Sequence, residues 1–276
     1  MKTSTRGKGV SDMGFFTGTV YSEALNMDTT IGAILPQDSR FHRGLSPLPA
    51  GVEKREKPRT LILLHGLTDN WSAWACRSRV LSYAEEYDVA VIMPEVQRSF
   101  YQDMAFGEAY FSYVSRELPA LAASLFNLSA APEDLMVAGL SMGGYGALRC
   151  ALTNPGRYRA AGAFSSVTRL DIFALGPDAR SETRGFDRLV RGMFGDPPRI
   201  PPEAELQRLA ESAARAGADI PILMTCGTED ELYPQNRAFY ESLQSLGLRA
   251  ALETWPGVHE WGFWDRSLRM FLERYA

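Results

Sequence analysis

Short, almost uninterrupted apolar runs recur along this chain at residues 60–64, 89–93, 135–138, 160–164 and 220–225. A strand reads this way when both of its faces are covered, because a strand with one wet face alternates apolar and polar residues instead. The segments between most of these runs are long enough for a helix. That spacing predicts βαβ units and a mostly parallel central sheet with helices on both faces, an α/β fold.

The remaining elements fit around this series. Residues 15–35 roughly alternate and are rich in β-branched side chains, which predicts two antiparallel strands. Residues 36–58 are rich in Pro, Gly and charge and read as a loop. Apolar residues at helical spacing predict helices over 73–87 and 108–126, the second kinked or divided by Pro119. Further helices are expected over 142–152 and 236–246, the latter ending at Gly247, and over 261–275, after a last strand at 250–254. Between 167 and 217 the rhythm breaks. Gly, Pro and Arg are frequent there and no strand is predicted, only helical pieces such as 186–194. An insertion at this point would lie over the carboxyl ends of the strands, so residues 168–217 are expected to form a small cap. The expected organisation is a flexible segment 1–13 followed by one domain, 14–276.

Composition narrows the partners. The net charge of −4, with no long run of Lys and Arg, argues against nucleic acid and against an anionic membrane. Cys76, Cys150 and Cys226 have neither metal-ligand nor redox spacing and read as small buried hydrophobes in a reducing compartment. No segment has the apolar length of a membrane span or a signal peptide, so a cytoplasmic location is expected. No metal and no cofactor is implied.

The chemistry concentrates at Gly139-Leu-Ser141-Met-Gly143, which matches the nucleophile-elbow pattern G-x-S-x-G. The pattern alone is common, but here it follows an apolar strand and opens directly into a helical stretch, the setting it requires. A serine hydroxyl needs a base to take its proton. The chain has only three histidines, His42, His65 and His259. Only His259 satisfies the order Ser, acid, His that such folds use. The acid should follow a strand between them. After Cys226, Gly227 leads into Glu229, Asp230 and Glu231, of which Asp230 is preferred and Glu229 held in reserve. Backbone N–H groups of Leu67 and Met142 are the expected oxyanion donors, with His65 anchoring the loop that carries Leu67.

Taken in order, Leu64-His-Gly-Leu-Thr-Asp-Asn with Trp74, Val91-Ile-Met-Pro-Glu, Gly139-Leu-Ser-Met-Gly-Gly-Tyr-Gly-Ala-Leu, Cys226-Gly-Thr-Glu-Asp and His259-Glu-Trp-Gly-Phe-Trp resemble the esterase D and tributyrin esterase family. The resemblance runs from about Gly14 to the end. It implies an α/β-hydrolase fold, cleavage of short acyl esters without a cofactor, and Asp230 rather than Glu229 as the acid. S-formylglutathione hydrolases are related but typically carry a cysteine where this chain reads Thr68-Asp69-Asn70. Related acyltransferases acting on sugars are secreted, and no export signal is seen here.

Trp71, Trp74, Phe100, Tyr101 and Trp261 are candidates for lining the substrate pocket beside Met142, with Trp74 and Trp261 preferred. The expected activity is a serine carboxylesterase working through an acyl-enzyme on a small-molecule ester. A thioesterase or sugar-ester deacetylase would share the machinery, and a catalytically silent binding module would be expected to lack one of the three residues. Assembly into a homo-oligomer is left open by the sequence.

Overall fold

The computed structural model describes residues 13–36, 57–170 and 184–276. Eight strands form one sheet in the order β1-β2-β4-β3-β5-β6-β7-β8. They are β1 (Met13–Ser22), β2 (Met27–Pro36), β3 (Arg59–Leu64), β4 (Val89–Pro94), β5 (Leu135–Leu140), β6 (Ala160–Phe164), β7 (Ile222–Gly227) and β8 (Ala250–Trp255). The β1–β2 hairpin is antiparallel and β2 runs antiparallel to β4. From β4 to β8 every pairing is parallel.

The continuous apolar runs have a direct explanation. Side chains alternate across a strand, and each face of this sheet has its own core. Ile62, Leu64 and Val137 point into one core, with Leu118, Leu148 and Leu243. Leu61, Leu63 and Met136 point into the other, with Val80, Trp264 and Phe271. Alternation therefore disappears from the sequence, because neither face is wet.

Helices α1 (Ala73–Arg77), α2 (Val80–Tyr87) and α9 (Trp261–Tyr275) cover the second face. The first contributes Trp74 and the last Phe263, Trp264, Leu268 and Phe271. Helix α3 (Tyr110–Ser112), a π-helical turn over Tyr113–Glu117, and helices α4 (Leu118–Phe126), α5 (Met142–Thr153), α6 (Arg184–Phe194), α7 (Leu206–Arg215) and α8 (Tyr233–Ser245) serve the first.

Two expected helices are subdivided. The one over 73–87 breaks at Ser78, whose hydroxyl donates to the Trp74 carbonyl and accepts from the Val80 N–H, diverting the helical ladder. The one over 108–126 is interrupted by the π turn, which runs directly into α4 with Pro119 in its first turn. Glu117, at the end of the π turn, reaches the hairpin, accepting from the Ser22 hydroxyl and from the Glu23 and Ala24 N–H groups. Met13, assigned above to a loose terminus, is instead a buried residue of β1. The rest of that terminus, most of the 36–58 loop and His42 lie outside the described residues. So do residues 171–183 of the expected cap, whose described part holds α6, α7 and a short 3-10 turn at Pro202–Ala204 and no strand.

Candidate active site

Four strand ends build the site. Residues 65–67 follow β3, Ser141 follows β5, Asp230 follows β7 and His259 follows β8, so all face the carboxyl edge of the sheet, where α/β folds bind ligands.

Ser141 has φ 53° and ψ −114°, a backbone conformation that side-chain-bearing residues rarely adopt. The fold holds it there from both sides. Its N–H donates to the Phe164 carbonyl at 2.8 Å, and its carbonyl accepts from Tyr145 N–H and Val167 N–H. The two glycines of the motif make the turn possible by their bareness. A Cβ on Gly139 would lie 2.5 Å from backbone atoms of Gly143, and one on Gly143 would lie 2.4 Å from the Leu64 carbonyl oxygen. The elbow is thus pressed against the end of β3, where the expected oxyanion loop begins. The atoms met in the second clash belong to the backbone of Leu64 and His65, so they cannot swing aside. Gly143→Ala is expected to displace that loop and lower kcat about 100-fold, with the circular-dichroism spectrum retained; steady-state kinetics on a short ester would check it.

The expected acid and base meet. His259 Nδ1 lies 2.9 Å from Asp230 Oδ2, and Asp230 Oδ1 accepts from the Leu232 N–H at 2.9 Å. Burial pushes the Asp230 carboxyl up, but the bonds from His259 and Leu232 outweigh it and leave the group below its ordinary value. An ionised carboxylate only accepts, so His259 Nδ1 carries a proton, and in the neutral form of the ring Nε2 is then the acceptor. Glu229 has a different task. Its carboxylate accepts from the Gly257 N–H while its own N–H donates to the Gly257 carbonyl. It tethers the histidine loop to the acid turn and does not take the acid position.

Around the β3 loop, three successive carbonyls are occupied. Leu64 O accepts from Trp74 Nε1 at 2.9 Å, His65 O from the Tyr101 hydroxyl at 2.9 Å, and Gly66 O from His65 Nδ1 at 2.8 Å. Val96 N–H donates to His65 Nε2, so the ring proton sits on Nδ1. Burial holds the imidazole below its usual range despite the Gly66 carbonyl and Glu95. Although Glu95 Oε1 is 3.6 Å from His65 Nε2, the neutral ring makes no ion pair with it. Carbonyl and N–H of one peptide unit point in opposite directions. Fixing Gly66 O therefore aims the Leu67 N–H away from the His65 ring, and that N–H has no partner among the described residues. Met142 N–H, at the first position of α5, has no helical acceptor either. His65 anchors the loop, as its place in the sequence suggested.

The model of the esterase family, described as "Putative esterase", matches residues 22–275. The chain belongs to that esterase family. An acetyl esterase of Caldicellulosiruptor saccharolyticus is 32% identical over 90% of this chain and 92% of its own. Among solved structures, a substrate-bound fluorophosphonate-binding serine hydrolase F of Staphylococcus aureus superposes with a TM-score of 0.82 at 27% identity, covering 95% of this chain and 98% of the other. An S-formylglutathione hydrolase of the same organism gives 0.76 at 28%, with the same coverage. The esterase is a carboxylic ester hydrolase of the serine type on an α/β-hydrolase fold.

Several sequence expectations about the esterase need correction. Trp74, Phe100 and Tyr101 are fully buried and cannot wall a pocket. Trp74 instead starts an aromatic chain. Its ring meets Trp261 edge-on at 5.3 Å, Trp261 meets Trp264 at 5.4 Å, and Trp264 meets the His259 ring at 4.9 Å. Trp261 is half-buried, with Arg77 over its ring, and Trp71 packs on Gly32, so each keeps only part of its surface for a ligand. Trp264 was missed, although it ends the His259-Glu-Trp-Gly-Phe-Trp motif. Cys76 is exposed rather than buried, while Cys150 and Cys226 are buried as expected, their thiols pushed up to about 12 by burial. Among the described residues no group of His, Cys, Asp and Glu could hold a metal, and no helix is long and apolar enough to cross a membrane.

Proposed function

We propose that the esterase cleaves short-chain acyl esters by a two-step acyl-enzyme reaction. Ser141 Oγ attacks the ester carbonyl while His259 Nε2 takes its proton. The tetrahedral oxyanion is held by the N–H groups of Leu67 and Met142. Collapse breaks the bond to the alcohol oxygen, which leaves with the proton from His259. Water then repeats the attack on the acyl-enzyme, giving its proton to His259 and releasing the acid and Ser141. Asp230 keeps the imidazole in the working tautomer and stabilises the imidazolium. The observation that carries this reading is the 2.9 Å Asp230–His259 bond, set on the same sheet edge as a serine in the elbow conformation.

The acetyl esterase relative supports a short acyl group. We read the substrate as a small molecule, with no nucleic acid or membrane partner, and the setting as cytoplasmic. Hydrolysis of p-nitrophenyl esters from acetate to palmitate should be fastest for acetate to butyrate and fall steeply beyond. A maximum at long chains would overturn the short-acyl assignment. The similarity to an S-formylglutathione hydrolase favours a thioester as the second reading, and Thr68-Asp69-Asn70 counts against it. An S-acyl thioester assayed beside the oxygen esters separates the two by kcat/KM.

A further inference from the structure

Tyr101 is a fully buried residue in an unusual conformation, with φ 53°, between Phe100 and Gln102 on the loop after β4. The expected esterase chemistry gives it no part, yet four contacts fix it. Its N–H donates to Ser99 Oγ at 3.1 Å, and its carbonyl accepts from Arg149 on α5 at 2.7 Å. Its ring lies on Gly146 of the same helix so closely that a Cβ there would come within 2.6 Å of ring carbons. Its hydroxyl donates to the His65 carbonyl at 2.9 Å.

Those contacts join two separate parts of the site. Arg149 and Gly146 tie Tyr101 to α5, whose first N–H, that of Met142, is one oxyanion donor. The hydroxyl ties it to the loop that carries the other donor, Leu67. We propose that Tyr101 is a positioning residue for the oxyanion site, a strut that sets the separation of the Leu67 and Met142 N–H groups. The inference rests on the active-site reading above. Burial raises the phenol well above its usual range, so the hydroxyl keeps its proton and donates at neutral pH. Without the hydroxyl the buried His65 carbonyl loses that donor, and the loop can shift to find another.

Tyr101→Phe removes one oxygen and keeps the ring on Gly146. With p-nitrophenyl acetate, kcat should fall about tenfold, short of the ~100- to 1,000-fold loss that follows outright removal of a donor. KM should stay within about twofold, because the two N–H groups act on the oxyanion and not on the bound ester. The affinity of a short-chain trifluoromethyl ketone, which forms a tetrahedral adduct, should weaken by the same tenfold. The affinity of the matching unfluorinated ketone, which stays an uncharged carbonyl, should not change. Gly146→Ala, which pushes the ring instead of the hydroxyl, should show the same pattern.

Wild-type values for both kcat and the ketone in Tyr101→Phe would overturn the proposal. Equal weakening of the trifluoromethyl and unfluorinated ketones would overturn it too, as that is general loosening. Fluorophosphonate labelling of the wild type and Ser141→Ala, run in parallel, isolates the underlying reading. If the wild type is not labelled at Ser141, that reading fails and the strut with it. If labelling is normal and Tyr101→Phe is silent, only the strut fails.

Discussion

Ser141→Ala is expected to lower kcat about a millionfold, the scale on which removal of an activated serine nucleophile acts, while KM and the fold are retained. The same position allows a second measurement that does not depend on activity. A residue held at φ 53° and ψ −114° stores on the order of 1–3 kcal/mol of strain. Glycine adopts that conformation freely, but it costs about 0.4–1 kcal/mol through the greater freedom of the unfolded chain. Ser141→Gly should therefore be inactive and more stable by ~1 kcal/mol, a rise in Tm of about 2–4 °C. Ser141→Ala keeps its Cβ and should leave Tm near that of the wild type. A calorimetric scan of the three proteins checks the comparison, and a fall in Tm for Ser141→Gly would remove strain from the account of the elbow.

Asp230→Asn should lower kcat by about 10,000-fold, by analogy with the same change in other triads. The asparagine NH2 can donate to His259 Nδ1, which moves the ring proton to Nε2, where it blocks acceptance from Ser141. The change also has a pH signature. The folded-state pKa of Asp230 lies below its ordinary 3.8, so the ionised group contributes stability that is complete above that value. The contribution is lost as pH falls through the folded pKa. Wild type should therefore unfold at a higher temperature than Asp230→Asn at pH 7, and the gap should close as pH drops below about 4. Thermal unfolding of both proteins from pH 7 to pH 3 checks the sign. A gap that widened in acid would mean that the carboxyl is not held ionised by His259 and Leu232.

Much of this molecule is local in origin and was therefore open to reading. The parallel strands show as unbroken apolar runs because both sheet faces are covered. The elbow shows because its two glycines are needed within five residues of one another. His259 emerged because few histidines compete for a place that chain order defines. The choice between Glu229 and Asp230 was different, since adjacent carboxylates have equal chemistry and only the direction of each side chain separates them. In the folded chain Glu229 turns to the Gly257 N–H and Asp230 to the imidazole. The aromatic residues were misjudged for a related reason. Trp74 and Tyr101 stand near the motifs in sequence, but their partners are the Leu64 and His65 carbonyls, which their polar tips reach from inside the core.

The order of chemical groups along the chain, the α/β alternation and the glycine-bounded serine were determined by the sequence itself, through short-range sterics and hydrophobic periodicity. Which carboxylate meets the histidine and which aromatics hold the loop carbonyls were decided by the tertiary structure. Those assignments depend on contacts between strand ends far apart in the chain, and only the packed sheet brings these within hydrogen-bonding distance.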